Sequence, residues 1–242
     1  MRPFLALTCL LSLFIVAAIA DAGTKRGGKR ADTLYGTAGR DKLYGRANRD
    51  RLFGLAGNDL LDGGSNRDRL DGGDGNDVLR GDQGTDTLLG GLGNDRIEAL
   101  SGNDQIDGGE GDDSVLAGPN ADRILGGNGN DTLEGMTGSD AVDAGPGNDG
   151  IGGGSGSDRL FGNLGDDTIA GGAAQDQVNG GDGNDALEGD TGDDRMDAGP
   201  GNDVTLASSG NDTVAGGPGN DRLDGGDGDD TVDGGEGNDF VV

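Results

Sequence analysis

An aspartate recurs every nine residues from Asp32 to Asp239, twenty-four times without an insertion or a deletion. Two residues after each stands an aliphatic side chain, from Leu34 and Leu43 to Val232 and Val241, with Met196 and the polar Thr205 as the odd members. A period this short and this strict admits few folds, because no nine-residue unit can bury a core alone and each must stack on its neighbours. Composition agrees. The 242 residues include 56 Gly, no Trp, no His and only 3% aromatics, at a formal net charge of −28. A jigsaw core of large side chains is excluded, and composition alone would also fit a disordered acidic tail. A disordered segment has no reason to hold such a register.

Each position in the unit has a physical task. From the Asp to three residues beyond it, as in DTLEG or DRLDG, one apolar residue lies between polar ones, the pattern of a brief strand with one side chain inward. The remaining Gly-Gly-x-Gly-x is a turn that needs positive φ, which Gly supplies at least cost. Strand and turn in alternation predict a parallel coil.

A second period of eighteen residues lies over the first. In the repeats whose Asp are 41, 59, 77 and so on to 239, the residue two before the Asp is always Gly, and the residue before it is Asn or Asp except at Arg40. In the other twelve repeats that Gly is replaced by Arg30, Asn48, Asn66, Asn120 and Ala174, and only Asn103, Asp193, Asn211 and Asp229 precede their Asp as Asn or Asp. Two repeats per coil place the two sets on opposite edges, one regular and one degraded.

The units GGDGNDVLR (72–80), GGNGNDTLE (126–134) and GGPGNDRLD (216–224) resemble the RTX, or haemolysin-type, nonapeptide repeat. The resemblance spans residues 32–242. It implies an all-β, right-handed parallel β-roll (a β-solenoid) with two nonapeptides per 18-residue coil, about twelve coils, and multiple Ca²⁺ ions between successive loops. Calcium takes about six to eight oxygen ligands, which Gly-turn carbonyls and Asp carboxylates supply. Coils stacked at about 4.8 Å would otherwise pile carboxylates on one another. The predicted ligands on the regular edge are Asp59, Asp77, Asp95, Asp113, Asp131, Asp149, Asp167, Asp185, Asp203, Asp221 and Asp239. On the other edge they are Asp104, Asp194, Asp212 and Asp230. The accompanying loop residues are Gly72, Gly75, Asn76, Gly90, Gly93, Asn94, Gly108, Gly111, Gly126, Gly129, Asn130, Gly180, Gly183, Asn184, Gly216, Gly219 and Asn220. Arg51, Arg69, Arg123, Arg159 and Arg195 follow an Asp of the degraded edge, and Arg49 and Arg67 precede one. Either guanidinium groups pair there with the ladder carboxylates in place of calcium, or they are solvated outward side chains.

The first twenty residues stand apart. Arg2, the uncharged run Phe4–Ala20 and the ending Ala18-Ile19-Ala20 read as a Sec-type signal peptide over 1–20, implying a secreted chain that spans no membrane once cleaved. Residues 21–30 read as a basic flexible linker and 31–242 as the calcium-binding roll. The one cysteine, Cys9, lies in the signal segment, so the remainder has neither thiol nor imidazole for nucleophilic catalysis, zinc or haem. Nucleic-acid binding is disfavoured by the charge, leaving only Lys25–Arg30 to meet a polyanion. Gly-x-Gly-x-x-Gly fragments arise from the Gly content, and paired acids such as Asp112-Asp113 sit on open edges, so no enzyme is read. Tyr35, Tyr44 and Phe53, three residues after the first three Asp, are expected to cover the first coil. The end at Phe240-Val241-Val242 is open to end-to-end self-association. The expected function is a secreted calcium-binding module, structural or adhesive, that folds as it binds calcium. The alternative is a non-catalytic partner of a separate enzyme or toxin chain. An ice-binding roll needs flat ranks of Thr, and the residues after the Asp are mixed.

Overall fold

The computed structural model describes residues 23–242, so the expected signal peptide lies outside the described residues. Among them are twenty-five strands and no helix, from β1 (Thr24–Arg26) to β25 (Phe240–Val241). Odd-numbered strands form one thirteen-stranded sheet and even-numbered strands a twelve-stranded one. Every pairing is parallel and joins residues eighteen apart, as Leu61↔Leu79 in one sheet and Leu70↔Leu88 in the other. The protein is therefore a parallel β-roll of about twelve coils, as the superperiod predicts. The roll starts earlier than expected. β1 lies within the segment read as a linker and pairs with β3 (Lys42–Ala47) at Thr24↔Lys42.

The interior is built of rows rather than layers. The aliphatic residue two after each Asp points inward, giving a stack from Leu43 to Leu223 that is almost wholly buried. Each such side chain contributes about 1.5–3 kcal/mol by leaving water. Four after the Asp comes a second inward residue, always Gly or Ala, such as Gly72, Ala99 or Ala144. β3 to β19 run six residues each, longer than the short strand expected, because pairing continues past this position; β20 to β25 are shorter.

The corners come from left-handed residues at two positions, both occupied in most repeats. From Arg46 to Gly235 the residue five after the Asp has positive φ whatever its identity: Gly73 (101°), but also Arg46 (81°), Leu55 (81°) and Met136 (78°). The residue two before the next Asp is the second, with Gly at 130–157° in several loops. Asn48, Asn66 and Asn120 take φ of 73–88° there, a conformation Asn tolerates better than most residues. Loss of Gly on the degraded edge thus leaves the turn intact. Tyr35, Tyr44 and Phe53 do not cover the first coil. Their side chains stand on the outer faces, Tyr35 stacked on Phe53 at 5.0 Å and Tyr44 beneath the guanidinium of Arg26 at 5.2 Å. Residues three after the Asp alternate with the inward row, so the pleat turns them outward.

Candidate metal centre

Along each edge of the roll runs a ladder of buried aspartates. Twenty-one consecutive members, Asp41 to Asp221, are at most 4% exposed. The link between coils repeats without exception: the backbone N–H of each Asp donates to Oδ1 of the Asp eighteen residues on. Asp59 donates to Asp77 at 2.6 Å and Asp77 to Asp95 at 2.7 Å on the regular edge; Asp86 donates to Asp104 at 2.7 Å on the other. A carboxylate in this setting is a better acceptor than a carbonyl, and one bond per coil on each edge fixes the register.

The other oxygen has no partner. From Asp50 to Asp221, Oδ2 of every ladder aspartate is buried and accepts no hydrogen bond, twenty atoms in all. Burying unpartnered carboxylate oxygen is costly, and in native proteins such atoms generally meet a donor, a water or an ion. The surroundings favour an ion. A Cβ on Gly108 would lie 2.5 Å from Asp113 Oδ2 and 2.5 Å from the carbonyl oxygen of Gly126; one on Gly216 would lie 2.6 Å from Asp221 Oδ2 and 2.6 Å from Gly234 O. Where the inward residue is Gly, Oδ2 thus shares with a main-chain carbonyl of the next coil a cradle against a bare Cα, with no room for a Cβ. An unpartnered carboxylate oxygen beside a main-chain carbonyl oxygen offers two hard oxygen donors of the kind calcium takes. Among the described residues no three acidic side chains converge on one point, so the donors here are ladder carboxylate and main-chain carbonyl. The residues present fit calcium.

Electrostatics point the same way. Burial, the largest cause, raises the ladder carboxyls from Asp50 to Asp212 above the ordinary carboxylate range; the backbone hydrogen bond opposes it and, at many of them, neighbouring carboxylate charges add to it. Asp95 and Asp167 rise to about 7, Asp77 and Asp131 to about 6. On the degraded edge Asp68 and Asp176 reach about 7 and Asp104 about 6. A cation bound at Oδ2 would offset that penalty.

The residues read from sequence fall into three places. The aspartates make the ladders. Gly72, Gly90, Gly108, Gly126, Gly180 and Gly216 are the inward cradle residues. Gly75, Gly93, Gly111, Gly129 and Gly183 are left-handed corner residues, and Gly219 holds the equivalent place. Asn76, Asn94, Asn130, Asn184 and Asn220 lie outside the buried row. Their side chains form an exposed second ladder, in which the N–H of Asn94 meets Oδ1 of Asn76 at 3.2 Å and that of Asn220 meets Oδ1 of Asn202 at 3.0 Å. Asp230 and Asp239, in the last described coil, are only half-buried, and the Cβ positions of Gly225 and Gly234 face no carbonyl oxygen of a following coil.

Asp50, Asp68, Asp86, Asp122, Asp140, Asp158 and Asp176 lie outside the predicted set and have the same buried, half-satisfied carboxylate. The signal for them is the Asp itself, which never lapses on either edge. The inequality of the edges is confined to the outer ladder, nearly continuous on the regular edge and reduced on the other to bonds such as Asn211 to Asp193. The arginines do not pair with the ladder carboxylates. Among the described residues the ion pairs are Arg69–Asp71, Arg80–Glu98 and Arg96–Glu98, none to a ladder aspartate. Asp41 is closed by the chain instead: its Oδ2 accepts from the Thr37 backbone N–H at 2.6 Å and hydroxyl at 2.8 Å.

Residues 26–61, 62–97, 80–115, 89–123, 116–151, 152–187, 171–205 and 206–241 match the family model described as RTX calcium-binding nonapeptide repeat (4 copies). No curated protein matches the chain.

Proposed function

The chain belongs to the RTX calcium-binding nonapeptide repeat family, and on that footing we propose that it is a secreted extracellular module whose folding is coupled to calcium and whose role is structural or adhesive rather than catalytic. The repeats of this family bind calcium, and a chain with this many holds multiple ions. The observation that carries the coupling is the file of twenty buried Oδ2 atoms without partners. In the unfolded chain these carboxylates are hydrated and far apart; in the roll they are dry and stacked at coil spacing. Calcium supplies positive charge and open coordination positions between coils, so its binding free energy becomes folding free energy.

The chain's own residues do the rest. Asp Oδ1 sets the coil register, the inward Gly leaves the cradle open, and the aliphatic row holds the two sheets together. The absence of His from the whole chain and of Cys from the described residues removes the commonest nucleophile and base pair, which supports a non-catalytic role. Circular dichroism of the chain in calcium and in chelator tests the coupling: the β signal is expected to collapse in chelator at about pH 8, above the raised carboxyl values, and to return with calcium. A β signal indifferent to chelator sinks the proposal.

A further inference from the structure

Positive charge in this acidic protein is concentrated at one end. Residues 23–69 hold eleven Lys and Arg against six Asp, a net of +5, whereas residues 70–242 hold six Arg against 39 acids, a net of −33. Four of these cations lie at one corner of the degraded edge. Arg49 and Arg51 flank Asp50, and Arg67 and Arg69 flank Asp68 one coil later; no other ladder aspartate has arginine on both sides. Arg51 of β4 (Arg51–Ala56) and Arg69 of β6 (Arg69–Asp74) are partners in register, so these like charges start from backbones one coil apart.

All four side chains are exposed, yet Arg49, Arg51 and Arg67 make no ion pair among the described residues, and Arg69 reaches only Asp71 at 3.6 Å. Arg80 and Arg96, further along the roll, share Glu98 at 3.0 and 2.7 Å. The four arginines, with half-buried Thr87 and the buried Asp50 and Asp68, line one cleft of about 120 Å³, the space of a few water molecules. Both aspartates turn their carboxylates away from solvent, with Oδ1 of Asp50 taken by Asp32 N–H and Oδ1 of Asp68 by Asp50 N–H. An approaching anion therefore meets guanidinium forks first.

We propose that this corner is a binding site for a tetrahedral oxyanion of the sulfate or phosphate-ester class. Planar guanidinium groups bind such oxygens in bidentate fashion, and the cleft has the size of one oxyanion. Four converging cations with so little acidic pairing relieve their mutual repulsion by taking up an anion. The site stands on the arginines alone and does not require the calcium reading, although calcium on Asp50 and Asp68 would strengthen it.

The test is titration of the calcium-loaded full chain with dextran sulfate at several salt concentrations. R49Q/R67Q is expected to weaken binding at least about tenfold and to lower the slope of log affinity against log salt by about two, one for each charge removed. R222Q, far along the roll, is expected to bind as the parent chain does. Sodium sulfate that competes at millimolar concentration assigns the cleft to the free ion; displacement by the polymer alone assigns it to ester groups presented in series. Unchanged calcium stoichiometry and circular dichroism show that the variants fold. The proposal is overturned if the parent chain does not bind, if R49Q/R51Q/R67Q/R69Q binds as well as the parent, or if the loss follows K29Q/R30Q instead.

Discussion

The backbone N–H of Asp77 donates to Oδ1 of Asp95 at 2.7 Å, while Oδ2 of the same Asp95 is buried with no partner at all. One carboxylate is thus divided between two jobs. One oxygen ties coil to coil through the chain's own hydrogen bonds. The other is left for something that the chain does not supply. Substituting Asp95 should separate the two. Asp95→Asn keeps the Oδ1 acceptor and replaces the unpartnered oxygen with an amide donor able to reach a main-chain carbonyl. Titration calorimetry is expected to show a lower calcium stoichiometry, while the calcium-free chain becomes no less stable. Asp95→Ala removes both functions and orphans the Asp77 N–H, at a cost of about 1–3 kcal/mol.

The raised carboxyls set a pH dependence for the calcium-free chain. A group whose pKa is higher in the folded state binds its proton more tightly there. Its favourable contribution is complete below the ordinary value of 3.8 and is lost as pH rises through the folded value. For Asp68, Asp95 and Asp167 that folded value is about 7, and for Asp77 and Asp131 about 6. Between about pH 4 and 7 stability without calcium should therefore fall steadily. Circular dichroism in chelator at about pH 5 and about pH 8 checks it, with more β signal expected at the lower pH; equal signals would contradict the burial of these carboxyls.

Calcium should also distinguish repeats that differ by one methyl group. The inward residue five before the ladder Asp is Ala rather than Gly at Ala99, Ala117, Ala144, Ala198 and Ala207. These methyls occupy the cradles of Asp104, Asp122, Asp149, Asp203 and Asp212. Ala144→Gly is expected to tighten calcium binding at the coil of Asp149, read as a lower midpoint in a calcium titration followed by circular dichroism. No shift would mean that the ion does not use this space.

Corner glycines should be far less tolerant. Gly102 has φ of +153°, and a Cβ there would overlap the carbonyl oxygen of Gly84 in the coil before. Both the backbone conformation and the close approach forbid a side chain. Gly102→Ala is expected to cost more than about 2 kcal/mol, measured as a fall in the urea midpoint of the calcium-loaded chain.

Thr205 breaks the aliphatic row from within. It is 1% exposed, stacked in register between Leu187 and Leu223, and its hydroxyl has no hydrogen-bond partner. Valine has nearly the same shape and no buried hydroxyl to desolvate. Thr205→Val should stabilise the loaded chain by about 1 kcal/mol. Leu88→Ala, a deletion in the same kind of row, should destabilise it by about 2–5 kcal/mol.

The nine-residue and eighteen-residue periods already contained the roll. Leu61, Leu79 and Ile97 stand eighteen residues apart in sequence and pair in register in one sheet, and the same interval carries the inward row and the Gly corners along the whole roll. The ladder aspartates were legible for the same reason. Less legible was the role of each Gly. Gly72 and Gly75 look alike in the motif, yet Gly72 is inward and clears space for Asp77, whereas Gly75 turns the chain at φ of 130°. Nor did the residues flanking each Asp report on the Asp itself. Asn48 and Arg49 make a poor consensus loop beside an Asp50 as deeply buried as Asp77.

Whatever repeats in this protein is written in the order of its residues: coil length, parallel pairing, the identity of the core row and the family. Such features depend on one residue type at a fixed interval, and an interval can be read along the chain. Folding in three dimensions was needed to settle how each carboxylate is shared, that both edges carry the same ladder, and that Arg49, Arg51, Arg67 and Arg69 meet in one cleft. These depend on side chains eighteen residues apart lying one coil apart, and on which oxygen or nitrogen of each faces its neighbour. That geometry exists only once the coils are stacked.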